Sequence, residues 1–292
     1  MLSTLARVPA TAILLHGLCS TADEMLSVVS GLRLAGHGVL PLAIEGYSFD
    51  PARAQQRASS HRDWLRAVGQ AVRDEARRGH RVVLVGLSAG ASLALGALID
   101  REVAQAVDGL VLMSTSLRLD GWAVPRHQFL LPLALYTPLG RFWHYRERPP
   151  FGVKNLRVRG WVARELAERR VSRAGAATIG VPHLRENDRL RRLVTRLLPT
   201  LRCKSVLALH AAEDEVASPA NVTLVQQQLQ ADSFRRVLLP DSYHMITIDN
   251  DRRDVVRETV RFVDAAAAAA FAPPARPAPQ PPAPLHHAAV HL

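Results

Sequence analysis

The 292-residue sequence contains two cysteines and no run of 18 uninterrupted apolar residues. Cys19 and Cys203 cannot build the disulfide framework that stabilises small secreted domains, so we expect both to be reduced thiols. A transmembrane helix needs about 20 consecutive apolar residues, and the sequence therefore predicts none. A chain of this length and apolar content can instead bury one large core.

Lysine is nearly absent, since Lys154 and Lys204 are the only two, yet the formal net charge is +11. Arginine supplies this charge, mainly in segments 141–173 (net +7) and 185–202 (net +4). Such a surface could contact anionic lipid headgroups, a carboxylate-bearing ester, a coenzyme A thioester or an acidic carrier protein, or it could simply be solvated. No nucleic-acid-binding module is recognisable, so nucleic acid is not an expected partner.

The two termini differ from the rest of the chain. Arg7 precedes an apolar run, but signal-peptide cleavage there would remove the predicted strand 11–18, so we expect a cytoplasmic protein. Residues 265–292 are rich in alanine and proline and predict a disordered tail. The tail histidines could bind a metal weakly, and no metal role is expected for them: His286, His287 and His291.

The stretch VVLVGLSAGASLAL, residues 82–95, places a lone serine between a strand and a helix. Residues 82–85 form a short, β-branched apolar run typical of a buried strand, and residues 89–101 have helical spacing. Between them, GLSAG at 86–90 matches the G-x-S-x-G nucleophile elbow. Ser88 is therefore the candidate nucleophile, with helix capping as its alternative role.

A serine hydroxyl is a weak nucleophile at neutral pH, so it needs a base, a carboxylate that orients the base, and donors for the developing oxyanion. The apolar strand 11–18 ends in His-Gly and delivers a loop beside the elbow. We expect the backbone N–H groups of Leu18 and Ala89 to bind the oxyanion. His16 is interpreted as a structural residue of this loop, and Cys19 could be reactive because it lies close by.

The candidate acid lies in the loop after a predicted strand at 205–209. Three acidic residues are available there, Glu213, Asp214 and Glu215. The spacing of Asp214 to Val216 favours the aspartate, because a short side chain projects from the turn while the valine re-enters the core.

The candidate base is His244, in the loop between a predicted strand at 237–239 and the last predicted helix at 252–263. Twelve histidines make any single one a weak signal, but His244 follows both Ser88 and Asp214 in the chain. The order Ser, Asp, His is the order found in α/β-hydrolases, whereas chymotrypsin-like and subtilisin-like enzymes use others.

Four motifs carry a resemblance to small bacterial carboxylesterases of the α/β-hydrolase superfamily, in the branch related to monoacylglycerol lipases. They are LLHGL (14–18), GLSAG (86–90), DEVASP (214–219) and SYHMITID (242–249). The resemblance covers about residues 10–263. It implies Ser88 as nucleophile, His244 as general acid and base, Asp214 as its partner, and the Leu18 and Ala89 N–H groups as oxyanion hole, without metal or organic cofactor. Leu18 departs from the pattern, because relatives often carry an aromatic residue there.

The predicted fold is an α/β-hydrolase fold with a sheet of about six mostly parallel strands, flanked by helices and carrying an inserted cap. Ten residues before Thr11 leave no room for two further antiparallel strands at the start. We expect a core formed by residues 1–117 and 204–264. An inserted cap, residues 118–203, lies between these two parts, and a tail, residues 265–292, follows them.

These features predict a serine hydrolase that cleaves carboxylic esters through an acyl-enzyme, with short- to medium-chain acyl or monoacylglycerol-like substrates. Two alternatives stay open. An acyltransferase or thioesterase would use the same three residues with another acceptor or leaving group. A non-catalytic relative would use the fold for binding alone.

Overall fold

The computed structural model describes residues 10–49, 57–169, 171–172 and 175–268. The strands in these residues are β1 (Ala10–Leu15), β2 (Gly38–Pro41), β3 (Arg81–Leu87), β4 (Val107–Met113), β5 (His144–Arg146), β6 (Val171–Ser172), β7 (Gly175–Ala176), β8 (Thr178–Gly180), β9 (Arg202–Ala211) and β10 (Gln230–Leu239). The α-helices are α1 (Leu26–Leu34), α2 (His61–Arg77), α3 (Ala89–Ala97), α4 (Arg101–Ala106), α5 (Leu131–Tyr136), α6 (Leu156–Arg169), α7 (Val181–Leu197), α8 (Ala220–Gln228) and α9 (Arg252–Ala268).

The main sheet has six strands in the order β10-β9-β4-β3-β1-β2, and every pairing between them is parallel. The predicted α/β architecture with a six-stranded sheet is therefore confirmed. Helical crossovers between parallel strands bring the carboxyl ends of all strands to one edge of the sheet. The loops after β3, β9 and β10 thus meet at the same edge.

Helices cover both faces of the sheet, because the central strands β1, β3 and β4 are apolar on both sides. In β3, Val82 and Leu84 join the core cluster beneath α2, α3 and α7, whereas Val83 and Val85 join the cluster beneath α1 and α9. All four side chains are fully buried. The nucleophile strand therefore lies at the centre of the fold and is held from both sides.

The segment between β4 and β9 contains α5, α6, α7 and two small two-stranded sheets, β5 with β8 and β6 with β7. Its last helix, α7, buries Leu190 and Val194 in the core cluster shared with α2 and α3. Val162 of α6 likewise joins the core cluster beneath α1 and α9, so two helices of the predicted cap pack on the core. The action of the predicted cap as a lid stays a prediction.

The last helix, α9, continues to Ala268, beyond the predicted end at Val263, because Ala267 still packs into the core. Residues 269–292, most of the predicted tail with its three histidines, lie outside the described residues, as does Arg7. None of the described helices combines the length and the apolar character that a membrane span requires.

Candidate active site

Ser88 occupies a strained turn between the end of β3 and the start of α3. Its backbone has φ +56° and ψ −115°, and non-glycine residues rarely adopt a positive φ. The flanking glycines permit the sharp turn. A Cβ on Gly86 would lie 2.4 Å from the carbonyl oxygen of Gly90, and a Cβ on Gly90 would lie 2.0 Å from that of Leu15. The start of α3 therefore presses directly against the end of β1.

The structure brings the three predicted side chains of Ser88, His244 and Asp214 into one hydrogen-bonded line. The Nε2 atom of His244 lies 2.8 Å from the Oγ of Ser88. Its Nδ1 atom lies 2.8 Å from Oδ2 and 3.0 Å from Oδ1 of Asp214. His244 and Asp214 are buried, with 6% and 2% of their surface exposed, so water competes little for these bonds.

Asp214 is fixed by its own loop. Its Oδ1 accepts hydrogen bonds from the backbone N–H groups of Val216, at 2.9 Å, and Ala217, at 2.8 Å. Nε2 of the fully buried His210 lies 3.4 Å from Oδ2. Burial opposes ionisation, but the charge of His244, its hydrogen bond, His210 and the Ala217 amide outweigh it and lower the pKa of Asp214. The carboxylate is therefore ionised and aimed at the imidazole.

The backbone of His244 is also held in place, because both its N–H and its carbonyl oxygen form hydrogen bonds. The Ser114 hydroxyl donates to its carbonyl oxygen at 2.6 Å, and its N–H donates to Oε2 of Glu215 at 3.0 Å. Burial disfavours the imidazolium, but the carboxylates of Asp214, Glu215 and Glu147 outweigh it and raise the pKa of His244 to about 9. The third acid of the loop, Glu213, is instead exposed and pairs with Lys154 at 3.2 Å.

The loop after β1 is held by side chains from the chain segment after β2. His16 contacts the Gly17 carbonyl oxygen through Nδ1 and the Ser48 hydroxyl through Nε2, both at 2.8 Å. The Tyr47 hydroxyl donates to the His16 carbonyl oxygen at 2.6 Å. Burial lowers the pKa of His16, so the ring is neutral and holds the loop, as its structural interpretation requires. Leu18 directly follows the residues that these hydrogen bonds hold, His16 and Gly17.

Two residues, one beside the loop after β1 and one beside Ser88, were not predicted from the sequence. The N–H of Gly17 donates to Oε2 of Glu24 at 2.7 Å, and Glu24 is 3% exposed. Burial raises the pKa of this carboxyl to about 7. The hydroxyl of Ser116 lies 3.3 Å from that of Ser88. Neither residue belongs to a recognisable motif. From the sequence alone, a buried glutamate or serine at such a position cannot be told from one that faces solvent.

The environment of Cys19 disfavours the reactivity considered from its position. The side chain is 7% exposed, and burial raises the pKa of its thiol to about 12. A thiol becomes nucleophilic as the thiolate, and burial disfavours that form. Both cysteines are free thiols. Within the described ranges, no group of three histidine, cysteine or acidic side chains is arranged to hold a metal ion.

Comparisons with known proteins identify the family of the chain. The sequence model of the family described as serine aminopeptidase, S33, matches residues 6–251. No curated protein sequence matches the chain significantly.

Solved structures share the fold at low sequence identity. A structure reported with the metagenome-derived lipolytic enzymes LipS and LipT has a TM-score of 0.67 and 20% identity, covering 88% of this chain and 95% of that one. A soluble variant of monoglyceride lipase from Saccharomyces cerevisiae has a TM-score of 0.71 and 13% identity, and the match covers 90% of this chain and 88% of that one. Monoacylglycerol lipase from Paleococcus ferrophilus has a TM-score of 0.67 and 18% identity, and the match covers 89% of this chain and 96% of that one.

The family match spans more than half of the chain, and these structures show its fold. The resemblance to α/β-hydrolase serine esterases is thereby confirmed, and the chain belongs to the serine aminopeptidase S33 family of α/β-hydrolases.

Proposed function

We propose that this chain is a serine hydrolase that cleaves carboxylic esters through an acyl-enzyme, acting on short- to medium-chain acyl or monoacylglycerol-like esters. The hydrogen-bonded line from Ser88 through His244 to Asp214 carries the proposal. Nucleophile, base and orienting carboxylate are already within hydrogen-bonding distance, which is the arrangement that acyl transfer requires.

In the proposed reaction, the Oγ of Ser88 attacks the ester carbonyl carbon while Nε2 of His244 takes its proton. Asp214 stabilises the imidazolium that results. The tetrahedral intermediate then collapses, and His244 returns the proton to the departing alcohol. A water molecule attacks the acyl-enzyme by the same route, releasing the acid and restoring the Ser88 hydroxyl.

The proposed oxyanion donors are the backbone N–H groups of Leu18 and Ala89. Ala89 is the first residue of α3, so its N–H has no partner within the helix. Gly90 packs closely against Leu15, the last residue of β1. This packing supports the proposal that the loop after β1 lies beside the Ala89 N–H. Losing one such donor costs roughly 10²- to 10³-fold in rate.

Glu24 is a positioning residue in this proposal. Its carboxyl accepts the Gly17 N–H, one residue before Leu18, and so limits rotation of the peptide units that aim the Leu18 N–H. The charge of an ionised Glu24 would oppose a developing oxyanion, and its raised pKa keeps a large neutral fraction near pH 7.

Hydrolysis of p-nitrophenyl esters from acetate to laurate, by the wild type and Ser88→Ala, tests the proposal. Ser233→Ala is a matched control, because Ser233 is exposed on the edge strand β10. We expect activity in the wild type and in the control, and its loss in Ser88→Ala. Equal hydrolysis by all three proteins would refute the nucleophile assignment.

The family description gives a reason to test a second substrate class. Aminoacyl p-nitroanilides carry the amide bond that an aminopeptidase cleaves, and the same nucleophile and base could act on it. Faster turnover of these amides than of every ester would favour peptidase activity over the ester hydrolysis proposed above.

A further inference from the structure

A groove outside the candidate active site joins two adjoining cavities of about 280 and 430 Å³. Asp188, Arg191 and Arg192 of α7 line both cavities, and neither is lined by Ser88, Asp214 or His244. We call it the arginine groove, and the candidate catalytic residues do not line it.

One half of the arginine groove carries an excess of positive charge. Its wall contains the four guanidinium groups of Arg118, Arg191, Arg192 and Arg196, and Asp188 is its one carboxylate. Asp188 pairs with Arg191 at 2.8 Å and with Arg192 at 2.7 Å. Arg118 and Arg196 form no ion pair with any residue that the structure describes. Their charges are therefore free to attract an anion.

Arg191 has an unused donor within this wall. The side chain is 12% exposed and donates to the Leu117 carbonyl oxygen at 3.2 Å and to Asp188. Its Nε–H is buried and has no acceptor in the described part of the chain. A buried donor without a partner is costly, so the protein alone does not fully satisfy this guanidinium group. Guanidinium groups also match phosphate and carboxylate oxygens in shape.

The other half of the arginine groove has a mixed wall, in which apolar side chains lie beside Gln128 and the shared charged residues Arg191 and Arg192. Its wall is formed mainly by Leu119, Phe129, Leu131, Pro132 and Leu135. Phe129 is 74% exposed, which leaves a large ring facing solvent. An aliphatic chain laid along this wall would remove apolar surface from water, at about 25 cal/mol per Å².

We propose that the arginine groove binds a single-chain anionic amphiphile, with its phosphate or carboxylate head on the arginines and its alkyl chain along the apolar side chains. The two halves share Arg191 and Arg192, so one molecule can occupy both. This binding does not depend on the proposed ester hydrolysis.

Calorimetric titration of the Ser88→Ala protein tests the proposal, because that variant removes turnover of any ligand. The probes are octyl phosphate, octanoate, inorganic phosphate and octyl glucoside, at concentrations below micelle formation. We expect one octyl phosphate or octanoate per chain, with binding at least tenfold weaker for inorganic phosphate and for octyl glucoside. The stronger of the two anionic probes identifies the preferred head group.

Charge variants locate the site. Arg118→Gln/Arg196→Gln should weaken octyl phosphate binding at least tenfold, because it removes the two unpaired guanidinium groups. The matched double variant Arg33→Gln/Arg253→Gln removes two exposed arginines on α1 and α9, at the opposite face of the sheet, and should bind like the parent.

Three results would overturn the proposal. They are no binding of either anionic probe, equal weakening by both double variants, and binding only to phosphatidylglycerol vesicles without binding of the free amphiphiles. The last would mean that the arginines attract a membrane surface without a groove-bound chain.

Discussion

Gly90 contacts the carbonyl oxygen of Leu15 so closely that a Cβ at position 90 would lie 2.0 Å from it. The atoms that this Cβ would meet are main-chain carbonyl oxygens, of Leu15 at 2.0 Å and of His16 at 2.6 Å, and they cannot move without displacing β1 or the loop after it. Gly90→Ala should therefore destabilise the protein by about 3 kcal/mol and lower esterase activity at least 100-fold. Chemical denaturation and p-nitrophenyl ester hydrolysis measure the two effects.

Gly160→Ala is the control for this substitution. Gly160 lies within α6, and a Cβ there would have no neighbour within 4 Å. Alanine should stabilise the helix by roughly 0.5–1 kcal/mol and leave activity unchanged. A Gly90→Ala variant as stable and active as Gly160→Ala would show that the packing of β1 against α3 is not required.

The pH dependence of kcat/KM should report the ionisation of His244. The imidazole must be neutral to take the Ser88 proton, and its pKa is raised to about 9. Activity should therefore fall about tenfold per pH unit below pH 9. Glu147→Gln removes one of the carboxylates that raise this pKa, so the acidic limb should move to lower pH. An acidic limb that does not move would argue against electrostatic coupling of Glu147 to His244.

Glu24 offers a test of loop positioning. Glu24→Gln keeps an acceptor for the Gly17 N–H, whereas Glu24→Ala removes it. We expect the glutamine variant to retain kcat within about threefold and the alanine variant to lose roughly 10²-fold in kcat with little change in KM. Equal kcat losses in both variants would show that the carboxyl charge matters, and not the hydrogen bond to Gly17.

Glu24 should also affect stability in a pH-dependent way. Its pKa is about 7 in the folded protein and 4.5 ordinarily, so the folded state holds the proton more tightly. The associated stability is full below pH 4.5 and is lost as pH rises through 7, by at most about 3 kcal/mol. Glu24→Gln should remove this pH dependence from the free energy of unfolding. The same slope in wild type and variant would assign it to other groups.

The nucleophile turn and the sheet could be predicted from the sequence because they rest on local patterns. The run 82–85 followed by GLSAG specifies a buried strand, a turn and a helix within fourteen residues. The order and strand-end positions of Asp214 and His244 then follow from the parallel topology. What local patterns cannot show is burial, which decides the different environments of Glu213, Glu215 and Glu24.

Element ends were harder to predict where side chains compete with the backbone. The predicted helix 89–101 ends at Ala97, because the Asp100 side chain accepts the N–H groups of Glu102 and Val103 and begins a second helix. The predicted strand 237–239 is in fact β10, Gln230–Leu239, an edge strand whose many exposed polar residues hide its character. Arginines similarly dilute the apolar face of α7.

Covalent labelling by a fluorophosphonate, with the modified residue located by peptide mass spectrometry, tests whether Ser88 is the nucleophile. We predict a single adduct on Ser88 in the wild type, slower labelling in Asp214→Asn, and none in Ser88→Ala. The neighbouring hydroxyl of Ser116, 3.3 Å from that of Ser88, should stay unmodified. An unlabelled wild-type protein, or an adduct on any residue other than Ser88, would contradict the account.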